Sequence, residues 1–281
     1  MKRFISFLCS IVLVLSSLGT AFADEDLSQK STSELQRLKE KLEIELEQIN
    51  AELASRENTP TTKLSSQDVV VFGKYEQDNN YSNGPDDISW YVLKVGNGKA
   101  LLISKYCLEA KQFEYEKGKD TSWETCSLRK WLNEAFLTTA FSEEEREAIL
   151  LTTVDNSKEQ AGKSQPYSIS CDSTEDKVFL LSGSEVEEYL NFATGPAARP
   201  TEYALTAGLQ KINHTKYCQW WTRGIVSSIA ILDTNSKDIP IETFAEIVRN
   251  NGMFKAEAQS VQGVRPAMWV EISAIENSVV K

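Results

Sequence analysis

A single histidine, His214, is all that the 281 residues contain. That excludes a three-histidine zinc site and any two-histidine iron or copper centre. A serine triad would have to recruit His214 from QKINHTKY, and no G-x-S-x-G serine accompanies it. His214 is better read as an ordinary loop residue. A Walker loop, a G-x-G-x-x-G turn and an EF-hand loop are also missing. No C-x-x-C occurs, so a thiolate zinc site is not expected. Basic charge is scarce: 30 Lys and Arg stand against 41 Asp and Glu, a net charge of -11. An acidic chain is repelled by nucleic acid and by anionic lipid. After residue 23 no apolar run is long enough to span a bilayer; GIVSSIAIL at 224–232 comes nearest and has the length of a strand. The expectation is therefore no catalytic constellation, no cofactor, no metal and no nucleic-acid partner. Carboxylates abound, but a glycosidase needs two at a set separation across a cleft, which sequence does not display.

What is present begins with MKRFISFLCSIVLVLSSLGTAFADED. Lys2 and Arg3 precede an apolar run from Phe4 to Leu18, and Ala21-Phe22-Ala23 follows. This reads as a secretory signal peptide over 1–23, cleaved after Ala23. The run is shorter than the ~20 residues that a membrane anchor needs. Losing the leader's two basic residues takes the net charge to -13. The mature protein is expected to be secreted, extracellular or associated with the envelope, with no membrane span. It keeps Cys107, Cys126, Cys171 and Cys218. Export permits disulfides, and four cysteines allow three complete pairings. Bridges and small buried hydrophobes both stay open.

Residues 31–56 read STSELQRLKEKLEIELEQINAELASR. Ser31 and Glu34 have capping-box spacing. Leu35, Leu42 and Ile49 recur every seven residues, Leu46 and Leu53 each follow four residues after one of them, and Lys39 interrupts the seam. The pattern predicts an amphipathic, coiled-coil-like helix about 36 Å long. It joins two copies as a weak homodimer through 32–55, binds a different partner, or lies on its own domain. Residues 57–68, polar and containing a proline, read as a linker. Residues 69–274 suit one α+β domain. In it, ISWYVLKV and KALLISKY flank Gly96-Asn97-Gly98, a hairpin signal. TSWETCSLRKWLNEAF turns helical, with Leu128, Trp131, Leu132 and Phe136 on one face. Ser142/Glu145 and Ser182/Glu185 repeat the capping spacing, KVFLL reads as a short buried strand, and VRPAMWVEISAI returns to strand.

The ordered series FGKYEQD, ISWYVL, ALLISKY, TSWETCSLRKWLNEAF, AFSEEE, DKVFLLSGSE, RPTEYA, WWTR and GVRPAMWV resembles the bacterial family known as domain of unknown function 6273, over about 68–274. This chain has Thr222 and Gly224 where that family usually has leucine and serine around the arginine, and its stretch between WWTR and GVRPA is longer. The family carries no assigned activity. Its tail, tryptophan and arginine and then a G-x-R strand, is similar to C-type-lectin-like domains, a group that includes formylglycine-generating enzymes. The resemblance implies a C-type-lectin-like fold. The copper-binding cysteine pair of those enzymes and the E-P-N, Q-P-D and W-N-D calcium motifs are not matched in this sequence, so neither chemistry transfers.

YCQWWTRG, residues 217–224, raises the question of a ligand platform. In a strand, Trp220 and Thr222 point one way and Trp221 and Arg223 the other, so the two rings cannot form one flat surface. In one reading Arg223 and Arg265 are buried and tie strands together. In the other, a tryptophan with an arginine lines a surface pocket for a sugar or peptide, cation–π contact included. On the second reading the site residues are Trp220, Trp221, Arg223, Arg265 and Trp123. The expected function is an exported non-catalytic binding module for a glycan or protein ligand. The alternatives are an extracellular enzyme acting on cell-wall or host glycans, and a structural envelope component.

Overall fold

The computed structural model describes residues 31–57, 64–116, 121–163, 168–190, 196–227, 243–249 and 252–280. The leader with its cleavage point at Ala23, and residues 58–63 of the linker, lie outside the described residues. The chain divides into two compact units, Met1–Pro60 and Thr61–Lys281.

In the first unit Thr32–Glu57 is a helix. The Glu34 N–H donates to Ser31 Oγ at 3.3 Å, and the Ser31 N–H donates to Glu34 Oε2 at 2.9 Å, a reciprocal cap. Lys39–Glu43 and Lys41–Glu45 pair one turn apart. Leu35, Leu42, Leu46 and Ile49 are all exposed; the side chain of Leu53 lies outside the described residues.

The second unit is mixed α+β. Its first sheet is antiparallel and runs Ala267–Glu271, Lys99–Ser104, Asp86–Gly96, Val69–Tyr75 and Val279–Val280. Gly96 pairs with Lys99, and Asn97 and Gly98 take φ of +53° and +73°, the left-handed pair that a two-residue hairpin needs. In Asp86–Gly96 the alternation turns Ile88, Trp90 and Val92 inward. Val69 pairs with Val280, so the fold runs past the expected boundary at 274. It also begins before 69: Leu64 is buried and the Gln67 N–H donates to the Val92 carbonyl at 2.8 Å.

The second sheet runs Gly252–Glu257, Thr243–Arg249, Trp220–Ser227, Gln262–Val264 and Glu109–Lys111, with Ser168–Ile169 also paired to Trp220–Ser227. The VRPAMWV segment is not one strand. Gln262–Val264 belongs to this sheet and Ala267–Glu271 to the first, so the chain crosses between sheets at Arg265-Pro266. Proline has no N–H to give a ladder, which suits the crossing. The ISAI that follows is a helical turn, Ile272–Ile275.

Ser127–Trp131, a π turn at Leu132–Phe136 and Leu137–Ala140 make one helical run. Leu128, Leu132 and Phe136 are buried, and Trp131 is half-buried. Both later capping boxes form, at Ser142/Glu145 and Ser182/Glu185. KVFLL has no ladder beyond a bridge from Phe179 to Ala267. Side chains replace it: Asn133 Oδ1 accepts from the Lys177 and Val178 N–H groups, and Arg223 Nη1 donates to the Leu180 carbonyl. Val178, Phe179, Leu180 and Leu181 are buried all the same.

Candidate functional site

The expected ligand-binding aromatics are interior. Trp123, Trp220 and Trp221 have no exposed surface. Each indole N–H finds a partner, as a buried indole must: Trp123 donates to Asp176 Oδ2 at 3.0 Å, Trp220 to the Pro196 carbonyl at 3.1 Å, and Trp221 to the Lys111 carbonyl at 2.8 Å. Trp221 and Trp123 both pack on Phe113. The two arginines are interior as well. Arg223 donates to the Leu180 and Asp155 carbonyls and forms an ion pair with Glu185 at 2.5 Å. Arg265 donates to the Ser104 carbonyl at 2.8 Å and lies 5.1 Å from the Trp220 ring centre.

The surface pocket expected of these five residues is thus replaced by a set of ties between segments. The expected pairing of Trp221 with Arg223 is also replaced, by Arg265 over Trp220. A register shift between Trp221 and Ile225 breaks the strand's simple alternation just where Arg223 sits. Burial lowers the affinity of Arg265 for its proton.

An open groove lies elsewhere. Lys111, Gln112, Tyr115, Ser127, Leu128 and Trp131 line about 250 Å³. Tyr115 is 65 % exposed, the one fully outward aromatic of the set. Lys111 Nζ lies 4.5 Å from the Trp131 ring centre, and the ring's other neighbour is Phe136 at 5.3 Å. The backbone beneath is fixed. Lys111 pairs with Gln262 on the sheet edge, and its carbonyl holds the Trp221 indole. Ser127 Oγ accepts from the Tyr115 N–H and donates to the Phe113 carbonyl. The groove therefore stands on the interior cluster. Helical periodicity places Trp131 in the core. Buried Leu128, Leu132 and Phe136 are spaced four apart, through a π turn, and Trp131 falls at the margin of that face. The available signal for Tyr115 was a tyrosine in the polar stretch FEYEKGKD, where no core requires it.

A second cavity, beside Arg223 and Gly224, holds about 20 Å³, room for roughly one water. Asn156, whose Oδ1 is buried without a hydrogen-bond partner, lines it. It is too small for a sugar. The carboxylates of Glu76, Asp78 and Asp86 lie within 4.8 Å of one another. Each already accepts a backbone N–H: Asp86 from Gln77 and Asp78, and Glu76 and Asp78 from Asn80. They are the described residues closest to a cation cage, and they also serve as loop acceptors.

The model of the family described as Domain of unknown function (DUF6273) matches residues 97–272. The chain belongs to that family. No curated protein and no solved structure matches the chain. The DUF6273 match spans the interior cluster and the groove alike, from the hairpin turn to Ile272. It also contains Thr222 and Gly224, which both lie against one side chain. Thr222 Oγ1 donates to Glu246 Oε2 at 2.8 Å, and a Cβ on Gly224 would stand 2.8 Å from the same oxygen. Glu246 is buried inside the DUF6273 domain and also accepts the Gly162 N–H. Burial pushes its carboxyl up to about 7, against the pull of those two hydrogen bonds and of Arg223.

Proposed function

We propose that this chain is an exported, non-catalytic binding module that takes a glycan in the groove between Tyr115 and Trp131. The observation that carries the reading is two aromatic side chains, Tyr115 and Trp131, lining one groove with polar neighbours. Tyr115 and Trp131 offer ring faces for the apolar face of a sugar; Lys111, Gln112 and Ser127 offer donors and acceptors for its hydroxyls. Sugar sites combine those two features, and the volume suits one or two rings. Lys111 swings on a flexible stem, so its place over Trp131 can be yielded to a ligand. Among the described residues the lining holds no carboxylate, whereas a glycosidase would need two across the cleft.

The leader motif supports export, and the tail motifs support a C-type-lectin-like arrangement. The exposed Leu35, Leu42, Leu46 and Ile49 support weak pairing of two copies through 32–55, which would present two grooves at once. The test is binding of the purified protein to an array of bacterial-wall and host glycans, beside a panel of peptides. Retention of one glycan class supports the reading. Retention of peptides alone would reassign the ligand, and a blank array would remove the groove's proposed role.

A further inference from the structure

We infer that Cys107 and Cys218 form a disulfide in the exported protein, while Cys126 and Cys171 remain thiols. The two sulfurs lie 3.2 Å apart, and the two residues are 111 positions apart in sequence. A bond needs about 2.0 Å, so closure asks for a movement of about 1 Å. The surroundings hold the pair in place. The Cys218 N–H donates to the Ala198 carbonyl, and the Thr201 N–H donates to the Cys107 carbonyl, so the segment around Ala198–Thr201 is bonded to both residues. Gly263 leaves the room: a Cβ there would stand 2.7 Å from Cys107 Sγ.

The other two thiols have different settings. Cys126 caps the helix Ser127–Trp131, its sulfur accepting the Arg129 N–H, and burial pushes its thiol up to about 12. Cys171 is half-buried; all four cysteines are free thiols in the structure, and the 3.2 Å approach is that of Cys107 and Cys218.

The oxidant is an external disulfide, such as oxidised glutathione or the active-site disulfide of an oxidoreductase. One cysteine loses its proton and attacks a sulfur of that disulfide. A mixed disulfide forms and one external thiolate leaves. The second cysteine, also deprotonated, attacks the mixed disulfide; the Cys107–Cys218 bond forms and the second external thiolate leaves. The external thiolates take up the two protons. Two protein thiols and one external disulfide thus become one protein disulfide and two external thiols. Both cysteines are fully buried once folded, so the exchange belongs to folding, before the segment at Ala198–Thr201 seals the site. Burial pushes the Cys107 thiol well up, and the nearby Arg265 guanidinium works against that rise.

The test refolds the full chain in reduced and oxidised glutathione, alkylates the remaining thiols after unfolding, and maps the peptides by mass spectrometry. The expected product joins the peptides of Cys107 and Cys218 and leaves Cys126 and Cys171 alkylated. The cross-link should survive a thiol reductant applied to the folded protein and be lost when the protein is unfolded in it. Reduction should lower the melting temperature by about 5–15 °C, since the bond closes a long loop. The variant Cys126→Ser with Cys171→Ser should keep the cross-link, and Cys218→Ala should leave Cys107 alkylated. Should the Cys218 variant fail to fold, the wild-type map decides alone. Alkylation of Cys107 and Cys218 under oxidising refolding, or either one bonded to another cysteine, would overturn the inference. None of these readouts depends on the ligand of the groove.

Discussion

The cluster around Trp220, Trp221 and Arg265 and the groove at Tyr115 and Trp131 use the same chemistry, aromatic rings beside cations, at opposite levels of exposure. In the first, every indole N–H is spent on a carbonyl or carboxylate and every guanidinium on neighbouring carbonyls. In the second, the Lys111 ammonium rests over a half-buried ring and Tyr115 faces outward. Arginine suits the interior because its planar fork serves several carbonyls at once, while lysine keeps a hydrated, movable charge at the surface. A motif that pairs tryptophan with arginine therefore reports a structural tie when its donors are saturated from within. It reports a recognition surface only when ring and charge stay open. The two regions touch at Lys111, whose carbonyl belongs to one and whose ammonium to the other.

The largest expected effect tests the interior half. Arg223→Met removes a buried charge, leaving Glu185 without its cation and the Leu180 and Asp155 carbonyls without the guanidinium N–H groups. It should cost about 3–5 kcal/mol of stability, read from denaturant unfolding. A loss under about 1 kcal/mol would move Arg223 out of the structural class.

Next comes the pH dependence of the same region. Glu246 has an ordinary value of 4.5 and is raised to about 7 when folded. The folded state therefore holds its proton more tightly than the unfolded chain. The associated stability is complete below pH 4.5, falls as the pH rises, and is gone once the pH passes about 7. The span corresponds to about 3 kcal/mol. Glu246→Gln should flatten this fall between pH 5 and 8 in thermal melts, and an unchanged slope would assign the dependence to other groups.

Trp131→Ala should cost about 1–2 kcal/mol, for lost contact with Phe136 and the Lys111 ammonium, and Tyr115→Ala less than about 0.5 kcal/mol. Unfolding by Trp131→Ala to the extent caused by Arg223→Met would erase the distinction between the regions. The smallest effect on domain stability is expected from Leu42→Asp. It should dissociate copies in sedimentation across a concentration series while leaving the main thermal transition in place.

The contrast also marks what could be read from the residues alone. Asn97-Gly98 dictates its hairpin because only left-handed backbone closes a two-residue turn, and serine three places before glutamate dictates the caps. The opposed directions of Trp220 and Trp221 follow from the strand period. The partners of Arg223 and Arg265 do not. Arg223 sits in a register shift and Arg265 where the chain crosses between sheets, and each partner comes from a distant segment. KVFLL reads as a strand because burial sets its composition, while its bonds go to Asn133, Arg223 and a lone bridge. The groove was legible only as an unexplained tyrosine. Trp131 is the last residue before the π turn, a feature that no periodicity argument contains.

The most direct measurement of the central claim, that recognition resides in the groove and not in the interior cluster, is glycan-array binding by the double variant Tyr115→Ala with Trp131→Ala, run beside the wild type with a melt on each sample. The account predicts a wild type that retains a glycan class and a double variant that retains none, its cooperative unfolding preserved. A double variant that binds as the wild type does would contradict it.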